Sequence, residues 1–385
     1  MACVANKRIT AAEWNQDVRH IEFQHPNASL TTPLYQPGDV LNIWPKNDLR
    51  QIHEFIHAKY PQFKPETVLS IDPRPAHVPS TVAVERLLQD YLDINGVPSR
   101  FFFQQAAFFC SNPEERDKMV EMASSDAENA ASYITYCKRE RRTYTEVLMD
   151  FASCDIPFSY LLQLIPPLRP RAYSISSSPT AHGTRIHVTV ALLHYVTPWK
   201  RGKTGTCSAY LQTLKEGEAS IVFITEGTLR LPKDPAAPLV LIGTGTGCAP
   251  MRSLMYERSA LRQQQQPTDP RKHITFYFGC RRDDSDYLYR EEWPLICDAV
   301  HVAFSKQDNK RVPVLLARDE VELYRMLVEE DGYVYISGSA KRMPADVRET
   351  FVQIFGRVGE LSREDAVKLV RHLEKERRYI VEAWS

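Results

Sequence analysis

The chain of 385 residues carries 48 basic and 48 acidic side chains, so its formal net charge is zero and its pI is about 7.2. At roughly 150 residues per domain this length suggests two or three domains, and 43% hydrophobic with 25% charged residues excludes a disordered or collagenous chain. Neutrality argues against a nucleic-acid protein, which carries a basic excess; the clusters Lys138–Arg142 and Lys375–Arg378 are interleaved with acids and read as solvated helix faces.

Residues 1–45 read as β structure: Arg19-His-Ile-Glu-Phe-Gln alternates, and a Tyr35-Gln-Pro-Gly-Asp turn leads into Val40-Leu-Asn-Ile-Trp. The first twenty residues hold Lys7, Arg8, Glu13 and Asp17 without an apolar core, so no signal peptide is expected. From about 50 to 165 the period turns helical, with Val84, Leu87, Leu88, Tyr91 and Leu92 on one face. Asn112-Pro113-Glu114-Glu115 supplies a cap residue, a proline in the first turn and acids after it. Residues 171–230 return to β. Beyond 236, strands at Leu239–Ile242, Ile274–Phe278, His301–Phe304 and Tyr333–Ile336 alternate with helical stretches, the pattern of a parallel sheet covered on both faces. Gln263–Gln266 with the following Pro-Thr-Asp-Pro reads as a loop. A last helix starts at the capping box Ser362-x-x-Asp365, and a short apolar tail ends in Ala383-Trp384-Ser385. No stretch approaches the roughly 18 apolar residues of a membrane span. Eight cysteines without a Cys-x-x-Cys pair are expected to be reduced thiols of a cytoplasmic protein, and eleven histidines without ligand spacing give no reason to expect a metal.

Glycine is scarce, 15 against 26 prolines, where average usage predicts about 27 glycines. The few present should sit where the backbone needs them. Five constellations carry chemistry. In Arg171-Ala-Tyr173-Ser174 the arginine can neutralise a diphosphate, the ring can stack on a heterocycle and the hydroxyl can bond a ring nitrogen, although an ordinary edge strand reads equally well. Gly205-Thr206-Cys207-Ser208 is either an anion cradle at a helix start or a plain cap. Leu239-Val-Leu-Ile-Gly243-Thr-Gly245-Thr-Gly247-Cys-Ala-Pro250 is neither a G-x-G-x-x-G fingerprint nor a Walker loop, yet it leaves a phosphate-sized gap at a strand end and favours nucleotide binding. Tyr277-Phe-Gly279-Cys-Arg281-Arg282 reads as strand, glycine, helix. Val334-Tyr-Ile-Ser337-Gly338-Ser puts further polar groups on the same sheet edge. Six glycines (205, 243, 245, 247, 279 and 338) fall at these turns.

Taken in order, Arg-x-Tyr-Ser, Gly-x-x-Ser, Gly-Thr-Gly-x-Ala-Pro, the Gly-Cys-Arg-Arg run and the terminal Trp-Ser resemble the ferredoxin–NADP reductase superfamily across essentially the whole chain. The helical insert with Tyr91-Leu-Asp-Ile narrows this to the diflavin reductases. Ala340-Lys-Arg-Met-Pro-Ala-Asp346-Val looks most like the cytosolic NADPH-dependent branch, which feeds an anamorsin-type iron–sulfur protein in cytosolic iron–sulfur assembly. The resemblance implies an antiparallel FAD-binding β-barrel at 1–50 and 166–235, a helical connecting insert at 51–165, and a doubly wound parallel-sheet NADP(H)-binding α/β domain at 236–385. It implies FAD and NADPH as cofactors, with FMN on a flavodoxin-like domain outside this chain, which would then be a piece of a longer protein. A reductase module of the cytochrome or sulfite reductase type, a stand-alone flavodoxin reductase and a non-enzymatic binding module are the alternatives.

Carried onto this sequence, the resemblance gives Arg171 the FAD phosphate, Tyr173 the isoalloxazine and Ser174 the neighbourhood of flavin N5. Tyr195 would stack on the adenine, and Gly205, Thr206, Cys207 and Ser208 would cradle the FAD diphosphate. Thr246, Gly247 and Gly338 fall at the pyridine nucleotide, and Ser305, Lys306 and Arg311 at its 2′-phosphate. Ser337, Glu382 and Trp384 fall at the nicotinamide, with Trp384 a lid that must swing aside. The sequence departs from the family pattern at Ser337 and Ser339, where cysteine and aspartate are usual, and at Glu382 in place of aspartate. Lys306, Pro313 and Leu315 replace arginine, tyrosine and glutamine, so a weaker preference for NADPH over NADH is expected.

Overall fold

The computed structural model describes residues 1–27, 32–72, 78–126, 131–265 and 274–384. It divides into two compact units, one of Met1–Asn42, Ala172–Ala191 and Leu214–Ser385, the other of Ile43–Arg171 and Leu192–Thr213.

In the first unit a five-stranded sheet runs in the order Ala299–Phe304, Ile274–Cys280, Leu239–Thr244, Tyr333–Ser339, Tyr379–Trp384, and every neighbouring pair is parallel. Alternate side chains feed opposite cores, as strand geometry requires. Val240, Ile242, Tyr277, Val334 and Ile336 pack with the helices Val312–Arg318, Met343–Val358 and Arg363–Lys375. Leu239, Leu241, Phe276, Phe278 and Tyr335 pack on the other face against Met251, Leu254 and Met255 of the helix Cys248–Gln265. Burial on both faces explains the unbroken apolar runs. In chain order the strands progress outward in one direction and then reverse beside Leu239–Thr244, a switch point that opens a crevice at the carboxyl ends.

Two differences from the sequence reading have clear causes. The apolar tail is a fifth strand, held by Val334 opposite Tyr379 and Ser339 opposite Trp384. The run after Cys280 does not continue into a helix: the Asp286 carboxylate accepts from the backbone N–H of Arg281 (3.0 Å) and Arg282 (2.8 Å), folding the segment into turns before the single helical turn Trp293–Ile296. Gln263–Gln265 extend a helix rather than a loop, in line with glutamine's helix preference. Gln266, the Pro-Thr-Asp-Pro after it and Ser385 lie outside the described residues.

The same unit holds an antiparallel sheet of Ala2–Arg8, Val18–Gln24 and Arg185–Ala191 and, except for Ile43 and Arg171, a second sheet in the order Val222–Thr225, Val40–Ile43, Arg171–Ser174. Single antiparallel bridges, Ala2 with Ala219 and Ile175 with Val188, link them. Among the described residues this pairing is not the closed barrel that was expected, because the second sheet's strands are four residues long and join the first only at these isolated bridges.

The second unit is mainly helical. Its core gathers Val84, Leu87, Leu88 and Leu92, the predicted stripe, with Phe102, Phe103, Tyr144 and Leu161. Asn112 caps Pro113–Ala123 through Glu114 N–H, and Thr143 with Glu146 forms a reciprocal capping box on Tyr144–Asp150. A hairpin of His194–Val196 with Gly202–Thr204 leads into the helix Thr206–Thr213. Among the described residues no helix is long and apolar enough to cross a membrane.

Candidate functional site

A cleft of about 610 Å³ opens at the carboxyl edge of the parallel sheet, and all five strands reach it. Thr244 to Thr246, Gly279 and Cys280, Ser305, Ser339 and Trp384 each line it from the end of one strand. Gly247, Ser337 and Gly338 are buried next to these lining residues but do not themselves line the cleft. A Cβ on Gly247 would lie 2.1 Å from the Ser337 carbonyl oxygen, and Gly338, at φ +153°, would drive one to 2.2 Å from Thr244 Oγ1. Only glycine lets these turns approach so closely. Ser337 is fully buried, and its Oγ has no hydrogen-bond partner. An orphaned buried hydroxyl is costly unless something completes it.

The charge on the cleft is specific. Arg281, Lys310, Arg311, Lys341 and Arg342 line it, and among the described residues none of their side chains forms a salt bridge. Just beside them Arg282 is paired with Asp284, and Arg290 with Asp283. Of the two lining acids, Asp286 is already engaged by backbone N–H groups and Asp346 lies at the start of a helix. Cations free of salt bridges around a crevice at the strand ends fit an elongated polyanion such as a pyridine dinucleotide.

Not every predicted residue takes part. Ser305 and Arg311 line the cleft, but Lys306 is exposed and absent from the lining, its backbone N–H bound to Arg281 O at 2.9 Å. Sequence reasoning missed Lys310, Lys341 and Arg342. The signal for Lys310 was the dibasic step after Asn309, whose φ of +52° turns the chain. Pro313 lines the cleft, while Leu315 is buried in the core. Glu382 sits opposite Ser337 in the sheet, with its carboxylate accepting from Thr228 N–H at 3.1 Å and from the Thr228 hydroxyl. Trp384 is 42% exposed, and its carbonyl accepts from Ala340 N–H at 2.8 Å.

The residues assigned to FAD divide between the units: Tyr173 and Ser174, both half-buried, belong to the first, whereas Arg171, Tyr195 and Gly205–Ser208 belong to the second. Arg171 is exposed and donates to Arg169 O at 2.7 Å. Burial raises the Asp93 carboxyl, opposed by the charges of Arg171 and Arg169. Arg141 Nε donates to Tyr195 Oη at 3.3 Å. The hairpin carrying Tyr195 is tied down through fully buried Glu140, which accepts from Thr197 Oγ1 (2.6 Å) and Trp199 N–H (3.0 Å), and through Glu146, which binds Lys203 and Arg201. Burial would raise Glu146, but its bonds to Lys203, Thr143 N–H and Arg201 outweigh this and hold it below the usual range. At the helix start Gly205 and Thr206 are half-buried, while Cys207 and Ser208 are buried. Ser208 Oγ accepts from Leu193 N–H at 2.9 Å, so this hydroxyl shapes the loop.

A further polar group was invisible in the sequence. Arg252, 3% exposed, donates to Ser176 O (2.8 Å) and Glu292 Oε2 (2.6 Å), and Ser178 Oγ donates to Glu257 (2.7 Å). The serines after Ser174 therefore fasten their strand to the helix Cys248–Gln265. Close by, nitrogen and oxygen atoms of His20, Glu22 and His187 lie within 4.8 Å of one another. Arg252 Nη1 lies 3.4 Å from His187 Nδ1. A guanidinium only donates, so Nδ1 accepts and the neutral ring carries its proton on Nε2, 3.6 Å from Glu22. Within the triad His20 Nε2 and Glu22 Oε1 are hydrogen-bonded at 3.3 Å, while His187 Nε2 is buried without a hydrogen-bond partner.

A dinucleotide cleft at the switch point of a parallel sheet, beside two small β-sheets, is the architecture of a flavin- and pyridine-nucleotide-dependent oxidoreductase. The chain belongs to the FAD-binding-domain family: residues 1–210 match that domain, and residues 241–349 match the oxidoreductase NAD-binding domain. It is 38% identical over 370 residues to NADPH-dependent diflavin oxidoreductase 1 of Dictyostelium discoideum, covering 91% of this chain and 58% of that protein. It is 35% identical to the protein of that name from Arabidopsis thaliana (99% of this chain, 63% of that protein) and 34% identical to the one from Bos taurus (99% and 64%). The chain thus spans about three fifths of the length of these relatives.

Proposed function

We propose that the chain is the electron-entry module of a diflavin reductase, taking reducing equivalents from NADPH. The observation that carries this reading is the cleft with its five cations free of salt bridges among the described residues, at the switch point of the sheet. In this reading 1–50 and 166–235 bind FAD with the two small β-sheets, 51–165 connects, and 236–385 binds NADPH. When bound, FAD takes a hydride from NADPH and releases electrons singly toward an FMN-bearing, flavodoxin-like domain outside this sequence. Thr246, Gly247 and Gly338 seat the dinucleotide. Ser305, Lys310 and Arg311 hold the 2′-phosphate. Ser337 offers its unpartnered hydroxyl to the nicotinamide end, where Glu382 also lies and Trp384 covers the approach. Arg171, Tyr195 and Gly205–Ser208 bind the diphosphate and adenine of FAD, while Tyr173 and Ser174 orient its ring. The final acceptor in this reading is an anamorsin-type iron–sulfur protein of cytosolic iron–sulfur assembly, and the module works in the cytoplasm.

The test is spectroscopic. The FAD-loaded protein should show a two-band flavin spectrum that bleaches on anaerobic addition of NADPH. A folded preparation that neither retains FAD nor oxidises NADPH refutes the reading. Joined to its FMN domain, the module should reduce an anamorsin-type protein faster than free FMN does; equal rates would remove that partner.

A further inference from the structure

The helical unit contains a thiol pair that the proposed electron transfer does not use. Cys110 and Cys154 face each other across an isolated antiparallel bridge. The flanking hydrogen bonds, Ser111 N–H to Ser153 O (3.2 Å) and Asp155 N–H to Phe109 O (3.0 Å), make them a non-hydrogen-bonded pair. At such a site the Cα atoms stand about 4.5 Å apart, inside the roughly 4.4–6.8 Å that a disulfide spans. The side chains converge as well. Cys110 Sγ donates to Ala106 O at 3.6 Å, Cys154 Sγ to the same oxygen at 3.4 Å, and the thiols are within hydrogen-bonding reach of each other. In the structure both are free.

We propose that Cys110 and Cys154 are a covalent modification site, a dithiol that closes to a disulfide when the protein meets a peroxide. The Cys110 sulfur attacks one peroxide oxygen and breaks the O–O bond, giving a sulfenic acid and one water. The Cys154 sulfur then attacks that sulfur, forming the S–S bond and releasing a second water. Two thiols give up two protons and two electrons, and one peroxide becomes two waters. Cys110 reacts first because it is 5% exposed while Cys154 is fully buried. Burial raises both thiols, so little thiolate is present and closure is slow.

The bond would close the loop 110–154, which carries Glu140, Arg141 and Glu146, the three side chains that hold the Tyr195 hairpin. A cross-link over such a loop restricts the unfolded chain, so the oxidised protein should melt at a higher temperature.

The experiment uses the FAD-loaded protein, oxidised with hydrogen peroxide, blocked with N-ethylmaleimide in denaturant and digested without reduction. Mass spectrometry should find a Cys110–Cys154 peptide pair about 2 Da lighter than its reduced halves, lost on adding dithiothreitol. Cys110→Ser should leave Cys154 alkylated; if that variant does not fold, the wild-type map decides alone. Recovery of both residues alkylated after peroxide has consumed other thiols overturns the proposal. So does Cys110 stopping at a sulfinic acid, or no link at any dose that leaves the protein folded.

Discussion

A 2′-phosphate carries close to two negative charges and is held best by cations that no carboxylate has already neutralised. Lys306 and Lys310 lie on one connection between strand and helix, but only Lys310 lines the cleft, beside Arg311. Lys310→Ala should therefore raise KM for NADPH by roughly tenfold, about 1.4 kcal/mol of charge-assisted binding, with KM for NADH unchanged. Lys306→Ala should have a smaller effect. Calorimetry with 2′,5′-ADP and 5′-AMP checks the same point without turnover, and equal loss for both ligands would place the 2′-phosphate elsewhere. Trp384 gives a second prediction at this scale. Its indole stands at the mouth of the cleft, 42% exposed, at the end of the last described strand. Removing it should favour the weaker-binding nucleotide, which has less binding energy with which to displace a lid. Trp384→Ala should raise turnover with NADH relative to NADPH, and an unchanged ratio would end the lid interpretation.

At the scale of elements, the parallel sheet was legible because buried strands must be continuously apolar and glycine must stand where two backbones meet. Gly247 shows how literally this holds. An added methyl would fall on the Ser337 carbonyl, a backbone atom that cannot turn aside. Gly247→Ala should cost about 1–3 kcal/mol by overpacking and weaken 2′,5′-ADP binding. Gly202→Ala, with nothing within 4 Å of the added Cβ, should do neither. A thermal melt of both variants checks this. What stayed illegible was decided by contacts distant in sequence. The bond of Glu382 to Thr228, 154 residues away, leaves no local pattern. Nothing local announces that the Ser208 hydroxyl accepts from Leu193 N–H. The last strand read as a tail because its edge pairs only with Tyr333–Ser339. Lys310 was missed because a single left-handed residue, Asn309, changes which lysine faces the cleft.

At the scale of the whole molecule, zero net charge hides a buried electrostatic network whose response to acid has a definite sign. The strands Val18–Gln24 and Arg185–Ala191 and the helical turn Pro179–His182 meet the helix Cys248–Gln265 through His20, His187 and His182, set among Glu22, Arg252, Tyr256, Tyr289 and Glu292. Burial first, then neighbouring positive charge, lowers all three rings, His187 to about 2. In the unfolded chain each ring takes a proton near pH 6.5. Below that pH the unfolded state binds more protons than the folded state, so stability is full above about 6.5 and is lost as pH falls from there toward the folded value. For His187 the loss at pH 5 is about 2 kcal/mol, at roughly 1.4 kcal/mol per pH unit. Most carboxylates titrate at lower pH, so the window between about 6.5 and 5 belongs chiefly to these rings. His187→Asn removes one titration while its side-chain oxygen can still accept from Arg252. Urea unfolding of the wild type should therefore show a midpoint falling steeply across that window, and the variant a shallower fall. Equal slopes would mean that His187 charges freely in the folded protein, and that the network is held by Arg252 and Glu292 alone.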